Sequence, residues 1–224
     1  MTDPRDTPTV HLVDDDPAVV RALARMLREH GFRTAVFGSA EAFLAQRDDS
    51  APGCLVLDVN LPGLDGLALQ RRLSDAGPAL PIVFLTGHGD IPMSVQAVKA
   101  GAVDFLTKPV AAETLLGAVS AAVEQDAQAR RAQAESAALR RRLDSLTARE
   151  REVLAGLAAG KLNKQIAADL GIVEPTVKFH RARIMERMQA RTIAELMHLV
   201  AGLAVAPDVQ PPATPADPTH DTPT

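Results

Sequence analysis

The chain has 224 residues, 46% of them apolar, which suits one large domain or two small ones. Its one cysteine, Cys54, excludes an intrachain disulfide and any cysteine-rich metal centre. Charge is uneven: residues 1–125 carry 10 basic and 16 acidic side chains and residues 126–205 carry 14 and 9, so the two halves call for different partners, nucleic acid being the candidate for the second.

In chain order, MTDPRDTPTV has no apolar signal core, and no later run approaches the ~20 apolar residues of a membrane span, which predicts a cytosolic protein. VHLV (10–13) reads as a buried strand that runs into three carboxylates, Asp14, Asp15 and Asp16. Asp16 before Pro17 fits a helix N-cap with proline in the first turn. A helix follows over 18–30, with Gly31 as its stop. Asp14 and Asp15 have no such local use. Adjacent anions leaving an apolar strand are opposed by repulsion and desolvation, so something must compensate them.

TAVF (34–37) leads through Ser39, a second N-cap, into a short helix over 40–46. CLVLD (54–58) precedes a Pro-Gly turn and a helix over 66–75; PIVFLT (81–86) leads to a helix over 92–100, and VDFLT (103–107) to one beginning near Ala111. The middle strands are nearly continuous in apolar residues, as a sheet covered on both faces requires. Five βα units predict a parallel, doubly wound α/β sheet.

From about Ala118 to Leu146 the composition turns to Ala, Arg, Gln and Glu, with Leu115, Ala118, Ala122, Gln125, Ala129, Ala132, Ser136, Leu139, Leu143 and Leu146 at 3–4 spacing, its centre only Ala, Gln and Ser. Two readings stand side by side: a helix that pairs with its twin as a coiled coil, or a solvated helical spacer. The last segment, 206–224, is rich in Pro, Thr and Asp and is expected to be disordered.

In open parallel sheets, ligands bind at the carboxyl ends of the strands, where the strand order switches. Asp14 and Asp15 leave the first strand there and Asp58 ends the third, so three carboxylates converge on one crevice. A hard cation relieves their repulsion, and Mg²⁺ (or Mn²⁺ in its place) takes such oxygen ligands. Thr86 ends the fourth strand and Lys108 follows the fifth, adding a hydroxyl and an ammonium. Such a surround is electrophilic towards a phosphoryl group, with Asp58 as the nucleophile that accepts it.

VDDD (13–16), LDVNLPGLDG (57–66), TGHGDIPMSVQAVKAGAVDF (86–105) and KP (108–109) resemble the receiver domain of two-component response regulators, and among them the FixJ-type subgroup. The resemblance spans about 8–124. It implies a flavodoxin-like five-stranded sheet in the order 2-1-3-4-5, Asp58 as phosphoacceptor, and Asp14, Asp15 and the Asn60 main-chain carbonyl as metal ligands. It also implies that Thr86 and Lys108 bind phosphoryl oxygens and that Phe105 is an aromatic switch residue. Asn60 and His88 stand two residues past Asp58 and Thr86, where similar receivers tune autodephosphorylation. A cis bond before Pro109 is a further implication.

LTAREREVLAGLAAGKLNKQIAADLGIVEPTVKFHRARIMERM (146–188) reads as three helices. Gly160 ends the first, Asn163 caps a short second, and Gly171 makes the tight turn into a third over 174–188. This is a helix-turn-helix pattern, whose second helix enters the DNA major groove. Val177, Ile184 and Met188 share an inward stripe with His180 beside it. Lys178, Phe179, Arg181 and Ala182 lie off that stripe. Lys178 suits guanine and Phe179 a thymine methyl, or else a satellite core contact. Thr176, Lys164, Arg181 and Arg183 suit phosphates. The segment resembles the LuxR/FixJ-type DNA-binding domain over about 143–203, including a fourth helix over 192–200 that in relatives helps form the DNA-bound dimer. Relatives often have a Ser capping the recognition helix; Val173 stands at that place, so helix entry depends on packing and Pro175.

The expected organisation is a flexible N-terminus (1–7), a receiver (8–124), a helical linker (125–142), an all-α four-helix DNA-binding domain (143–205) and a tail (206–224). The expected function is a cytoplasmic bacterial response regulator. A sensor histidine kinase phosphorylates Asp58, the face around 93–105 then dimerises, and the dimer binds promoter DNA and regulates transcription, with RNA polymerase a further partner. It is not a turnover enzyme, although such domains take phosphoryl groups from small donors and dephosphorylate themselves. Two alternative readings stand beside it. Haloacid-dehalogenase-like phosphatases need a second Asp two residues after the nucleophile, where this chain has Asn60. The other is a DNA binder whose receiver dimerises independently of phosphorylation.

Overall fold

The computed structural model describes residues 7–48, 51–76, 80–87 and 91–205. The chain divides into two units, Met1–Gln133 and Ala134–Thr224. The expectations for residues 1–6, for His88 and for the tail over 206–224 lie outside the described residues.

The first unit alternates β1 (Thr9–Val13), α1 (Pro17–Glu29), β2 (Arg33–Phe37), α2 (Ala40–Gln46), β3 (Gly53–Leu57), α3 (Gly66–Asp75), β4 (Ile82–Thr86), α4 (Ile91–Lys99), β5 (Asp104–Thr107) and α5, which begins at Ala112. All strand pairs are parallel and the order is β2-β1-β3-β4-β5. This is the doubly wound parallel sheet that the five βα units predict, in the flavodoxin-like order that the receiver resemblance implies.

Alternation along each strand sorts the apolar residues onto two faces. Val13, Phe37, Leu55, Leu57 and Phe84 join Phe43 of α2, Leu69 and Leu73 of α3 and Ala97 of α4 in one core. Val10, Leu12, Cys54, Val56, Val83 and Leu85 meet Val20, Ala24 and Leu27 of α1 and Leu115, Val119 and Ala122 of α5 in the other. Both faces are covered, so β3 and β4 are buried at every position.

The caps follow the sequence. Asp16 accepts from the Ala18 and Val19 N–H groups at 2.8 and 3.4 Å, with Pro17 starting α1. Ser39 accepts from Ala42 at 3.2 Å, and Asp65 from Ala68 at 2.7 Å. The Lys108–Pro109 bond is cis.

α5 is a single 33-residue helix, Ala112–Asp144, that runs through the expected linker. Buried Asp126 ties it to the amino end of β3: its Oδ2 accepts from the Gly53 N–H at 2.9 Å and pairs with Arg130, which donates to the Ala51 carbonyl at 2.6 Å. Sequence gives no sign of this tie, because its partners lie 73 and 79 residues apart.

The second unit packs α6 (Ala148–Ala158), α7 (Asn163–Leu170), α8 (Glu174–Met188) and α9 (Ile193–Val205) on a third core centred on Val153, Ile166, Val177, Ile184, Met188 and Leu196. Leu139 and Leu143, from the end of α5, pack against it as well. Thr147 and Glu150 form a capping box at the start of α6. The T-x-x-E spelling before an apolar run is the sequence sign for that box. Gly171 ends α7 in the left-handed region, at φ 63°. One expectation is corrected: Leu162, not Asn163, is the N-cap of α7, and Asn163 is its first helical residue. Its side-chain oxygen is instead taken by Arg181 at 2.5 Å.

Candidate functional site

β1 and β3 are neighbours, and the chain leaves β1 towards β2 on one side and reaches β3 on the other. Their carboxyl ends therefore form the switch-point crevice. The ladder continues one residue past each strand, with the Asp58 N–H donating to the Val13 carbonyl at 2.9 Å and that of Asp14 to Phe37 at 3.2 Å. Asp14 and Asp58 thus leave adjacent strands at one level. One carboxylate oxygen from each of Asp14, Asp15 and Asp58 lies within 4.8 Å of the others. Asp14 and Asp58 are buried and Asp15 is exposed, so the group opens to solvent on one side.

Burial of two carboxylates needs compensation, and the neighbours supply it. The Asp14 Oδ1 accepts from the Asp16 N–H at 3.0 Å. The Lys108 ammonium donates to Asp14 Oδ2 and, at 3.3 Å, to Asp58 Oδ2. Burial alone pulls the Lys108 pKa down, but hydrogen bonds and the charges of Asp14 and Asp58 outweigh it, and the pKa is raised. A permanent cation therefore bridges the two strand ends. Lys108 reaches them because its N–H continues the sheet onto the Thr86 carbonyl at 2.8 Å.

Thr86 is fully buried at the end of β4, with the Asn60 side-chain amide 3.5 Å from its hydroxyl. Asn60 itself is exposed, and its N–H stands 3.5 Å from Asp58 Oδ1. Gly66 lets α3 start close behind Asp58: a Cβ there would sit 2.4 Å from the Asp58 carbonyl oxygen. Phe105 is half-buried, packs against the core under α2, α3 and α4, and has its ring 6.0 Å from that of Phe84. Asp14, Asp15, Asp58, Asn60, Thr86 and Lys108 are therefore brought together, and Phe105 lies one strand position before Leu106 on the neighbouring edge. The carboxylate set fits a hard divalent cation: three oxygens from two strand tips, one side open for water.

In the second unit α8 presents Lys178, Phe179, Ala182 and Arg183 to solvent, while Val177, Ile184 and Met188 are buried, as the helical stripe predicts. Phe179 is 57% exposed, not a core contact, and the Arg183 guanidinium lies 5.7 Å above its ring. Lys178 pairs with Glu174 at 3.3 Å, Lys164 is exposed, and Thr176 is half-buried. At the far end of α8, Arg187 pairs with buried Glu150 at 3.6 Å and donates to the Ser145 carbonyl, fixing the recognition helix to the start of α6. Nothing in the helical pattern separates Arg187 from the solvated arginines beside it.

A doubly wound domain with this crevice, joined to a helix-turn-helix unit, defines a receiver coupled to a DNA-binding output. Residues 10–120 match the response regulator receiver domain, and residues 144–200 match the bacterial regulatory proteins of the luxR family. The chain is 44% identical over 194 residues to the response regulator protein TmoT of Ectopseudomonas mendocina, covering 87% of this chain and 88% of that one. It is 42% identical over 191 residues to the transcriptional regulatory protein FixJ of Rhizobium meliloti, covering 85% and 94%. Among solved structures it superposes on the response regulator StyR with a TM-score of 0.81 at 45% identity, over 88% of this chain and 99% of that one. The chain belongs to the FixJ-type response regulators, a receiver domain followed by a LuxR-type DNA-binding domain that regulates transcription. Among the described residues, no helix is long and apolar enough to cross a membrane.

Proposed function

We propose that Asp58 is the phosphoacceptor and that its phosphorylation by a sensor histidine kinase promotes dimerisation and promoter binding. The observation that carries this reading is the Lys108 ammonium held against both Asp14 and Asp58 beside the buried Thr86 hydroxyl. The Asp58 carboxylate oxygen attacks phosphorus, the new O–P bond forms, and the bond from phosphorus to the donor breaks, leaving its electron pair with the donor. Asp14, Asp15, Asp58 and the Asn60 carbonyl would hold Mg²⁺ or Mn²⁺, which supplies charge neutralisation for the phosphoryl oxygens. Lys108 neutralises a further oxygen, and the Thr86 hydroxyl bonds another. The same chemistry supports labelling by small phosphodonors and slow self-dephosphorylation tuned by Asn60 and His88.

A phosphatase is disfavoured, because Asn60 stands where a turnover enzyme needs a second carboxyl, and an amide neither donates nor takes a proton there. Phe105 is the switch residue of this reading. The α4–β5–α5 face, with Val95 and Val98 exposed on α4, is the dimerisation surface. Lys178 and Phe179 contact base edges in the major groove, with Arg181 and Ala182 facing the same groove. Thr176, Lys164, Arg181 and Arg183 bind phosphates, in a cytoplasmic regulator that works with RNA polymerase.

The test is acetyl-phosphate labelling and promoter affinity of the full chain, with binding sites taken from chromatin mapping. Label is expected on wild type and absent from Asp58→Ala, and promoter affinity is expected to rise on labelling only in wild type. Equal affinity with and without label removes the switch.

A further inference from the structure

The loop over 58–65 carries the Asp58 carboxylate, the Asn60 carbonyl and the Asp65 cap of α3 within eight residues. One of its holds comes from outside the crevice. Glu41, in the first turn of α2, reaches across, and its Oε1 accepts a hydrogen bond from the Leu64 N–H at 3.1 Å. Gly63, just before, has φ 80°, and a Cβ there would stand 2.9 Å from the same oxygen. The turn admits the carboxylate because residue 63 has no side chain. The carboxylate is itself oriented. Hydrogen bonds from its own main-chain N–H and that of Leu64, with the Ser39 hydroxyl and the Arg72 charge behind them, keep its carboxyl below the usual range.

From the other side the loop is closed by the Gly66 N–H on the Val59 carbonyl at 2.9 Å, and Val59 and Leu61 are buried. Asn60 lies between these two holds. An exposed carboxylate of this kind adds little to global stability. Its effect is on where the loop main chain sits.

The geometry points to Glu41 as a positioning residue for the chemistry at Asp58, fixing the loop main chain that supplies the Asn60 carbonyl to the cation. This rests on the reading of Asp14, Asp15, Asp58 and Asn60 as the metal site.

The test compares full-length wild type, Glu41→Ala and Glu41→Gln. In metal-free protein, amide hydrogen exchange over 59–65 is expected to quicken in Glu41→Ala and to stay near wild type in Glu41→Gln, whose amide oxygen still accepts from Leu64. The Mg²⁺ concentration that half-saturates acetyl-phosphate labelling is expected to rise about tenfold in Glu41→Ala, the lower end of what losing an outer-shell metal partner costs, with the saturated rate kept. Glu41→Gln is expected to restore it. Wild-type exchange and Mg²⁺ dependence in Glu41→Ala overturn the inference. So does a Glu41→Gln variant as impaired as Glu41→Ala, which makes charge and not the hydrogen bond the cause. If wild type takes no label at Asp58, the crevice reading has failed, and the exchange arm alone then decides whether Glu41 holds the loop.

Discussion

At the scale of single residues, the same strand shows two ways of burying a polar side chain. Asp14 is buried with a cation and a main-chain N–H to answer it. His11, three residues earlier, is 7% exposed, with its ring stacked on Phe37 and edge-on to Phe43, and its Nδ1 has no hydrogen-bond partner among the described residues. Burial lowers its pKa from 6.5, so folding disfavours the imidazolium. The unfolded chain takes a proton as pH falls through 6.5 and the folded one only at lower pH, so His11 withdraws stability as pH falls below 6.5. His11→Leu is expected to lose less stability than wild type between about pH 7 and about pH 5.5, by up to about 1 kcal/mol. Urea unfolding followed by circular dichroism measures it, since the chain has no Trp or Tyr to report. Equal losses in both proteins would clear His11 of this role.

At the scale of elements, the recognition helix begins without a side-chain cap. Val173 is 65% exposed at the N-cap of α8, and Pro175 at the second helical position has no N–H to be capped. The Thr176 N–H makes only a tight bond to the Val173 carbonyl at 3.0 Å. Val173→Ser offers Thr176 a side-chain acceptor at little packing cost, and is expected to stabilise the second unit by about 0.5–1 kcal/mol. Thermal melting reads this as a rise of a few degrees; an unchanged melt would mean the carbonyl bond already suffices. Elements of this kind were legible because their signals are local. The unbroken apolar runs of β3 and β4, Asp16 with Pro17, and Gly171 after α7 each fix a boundary from adjacent residues. The acidic crevice was legible because parallel topology brings strand ends together whatever lies between them. What sequence left unread are contacts between distant positions with no periodic sign. These are Asp126 on Gly53, Glu41 on Leu64, Arg187 on Glu150, and Gln70, whose buried amide donates to the Ala97 and Ala100 carbonyls at the end of α4. Asn163 belongs with them: its oxygen suits a cap, but a guanidinium 18 residues away takes it.

At the scale of the whole molecule, the division of charge between an acidic receiver and a basic output coincides with a division of cores, and α5 belongs to both. Its first turns place Leu115, Val119 and Ala122 in the receiver core, with Asp126 and Arg130 tying it to the sheet. Its last turns give Leu139 and Leu143 to the DNA-binding unit, where Arg151 also donates to the Asp144 carbonyl at 2.9 Å. The output unit therefore begins structurally before the family match at residue 144, inside the helix that composition alone marks as a linker. A segment starting at residue 134 is expected to fold and melt cooperatively, whereas one starting at residue 144 lacks both leucines. Each half-buried leucine contributes about 1 kcal/mol, so the shorter segment should lose about 2 kcal/mol. For a domain of this size that is a drop in melting temperature of about 10 °C. Restoring only Leu143 should recover part of the difference and restoring Leu139 the rest, because both side chains join one core. Equal melting of the two segments would confine the output unit to residues 144 onward and make the last turns of α5 a spacer, with no share in holding the recognition helix.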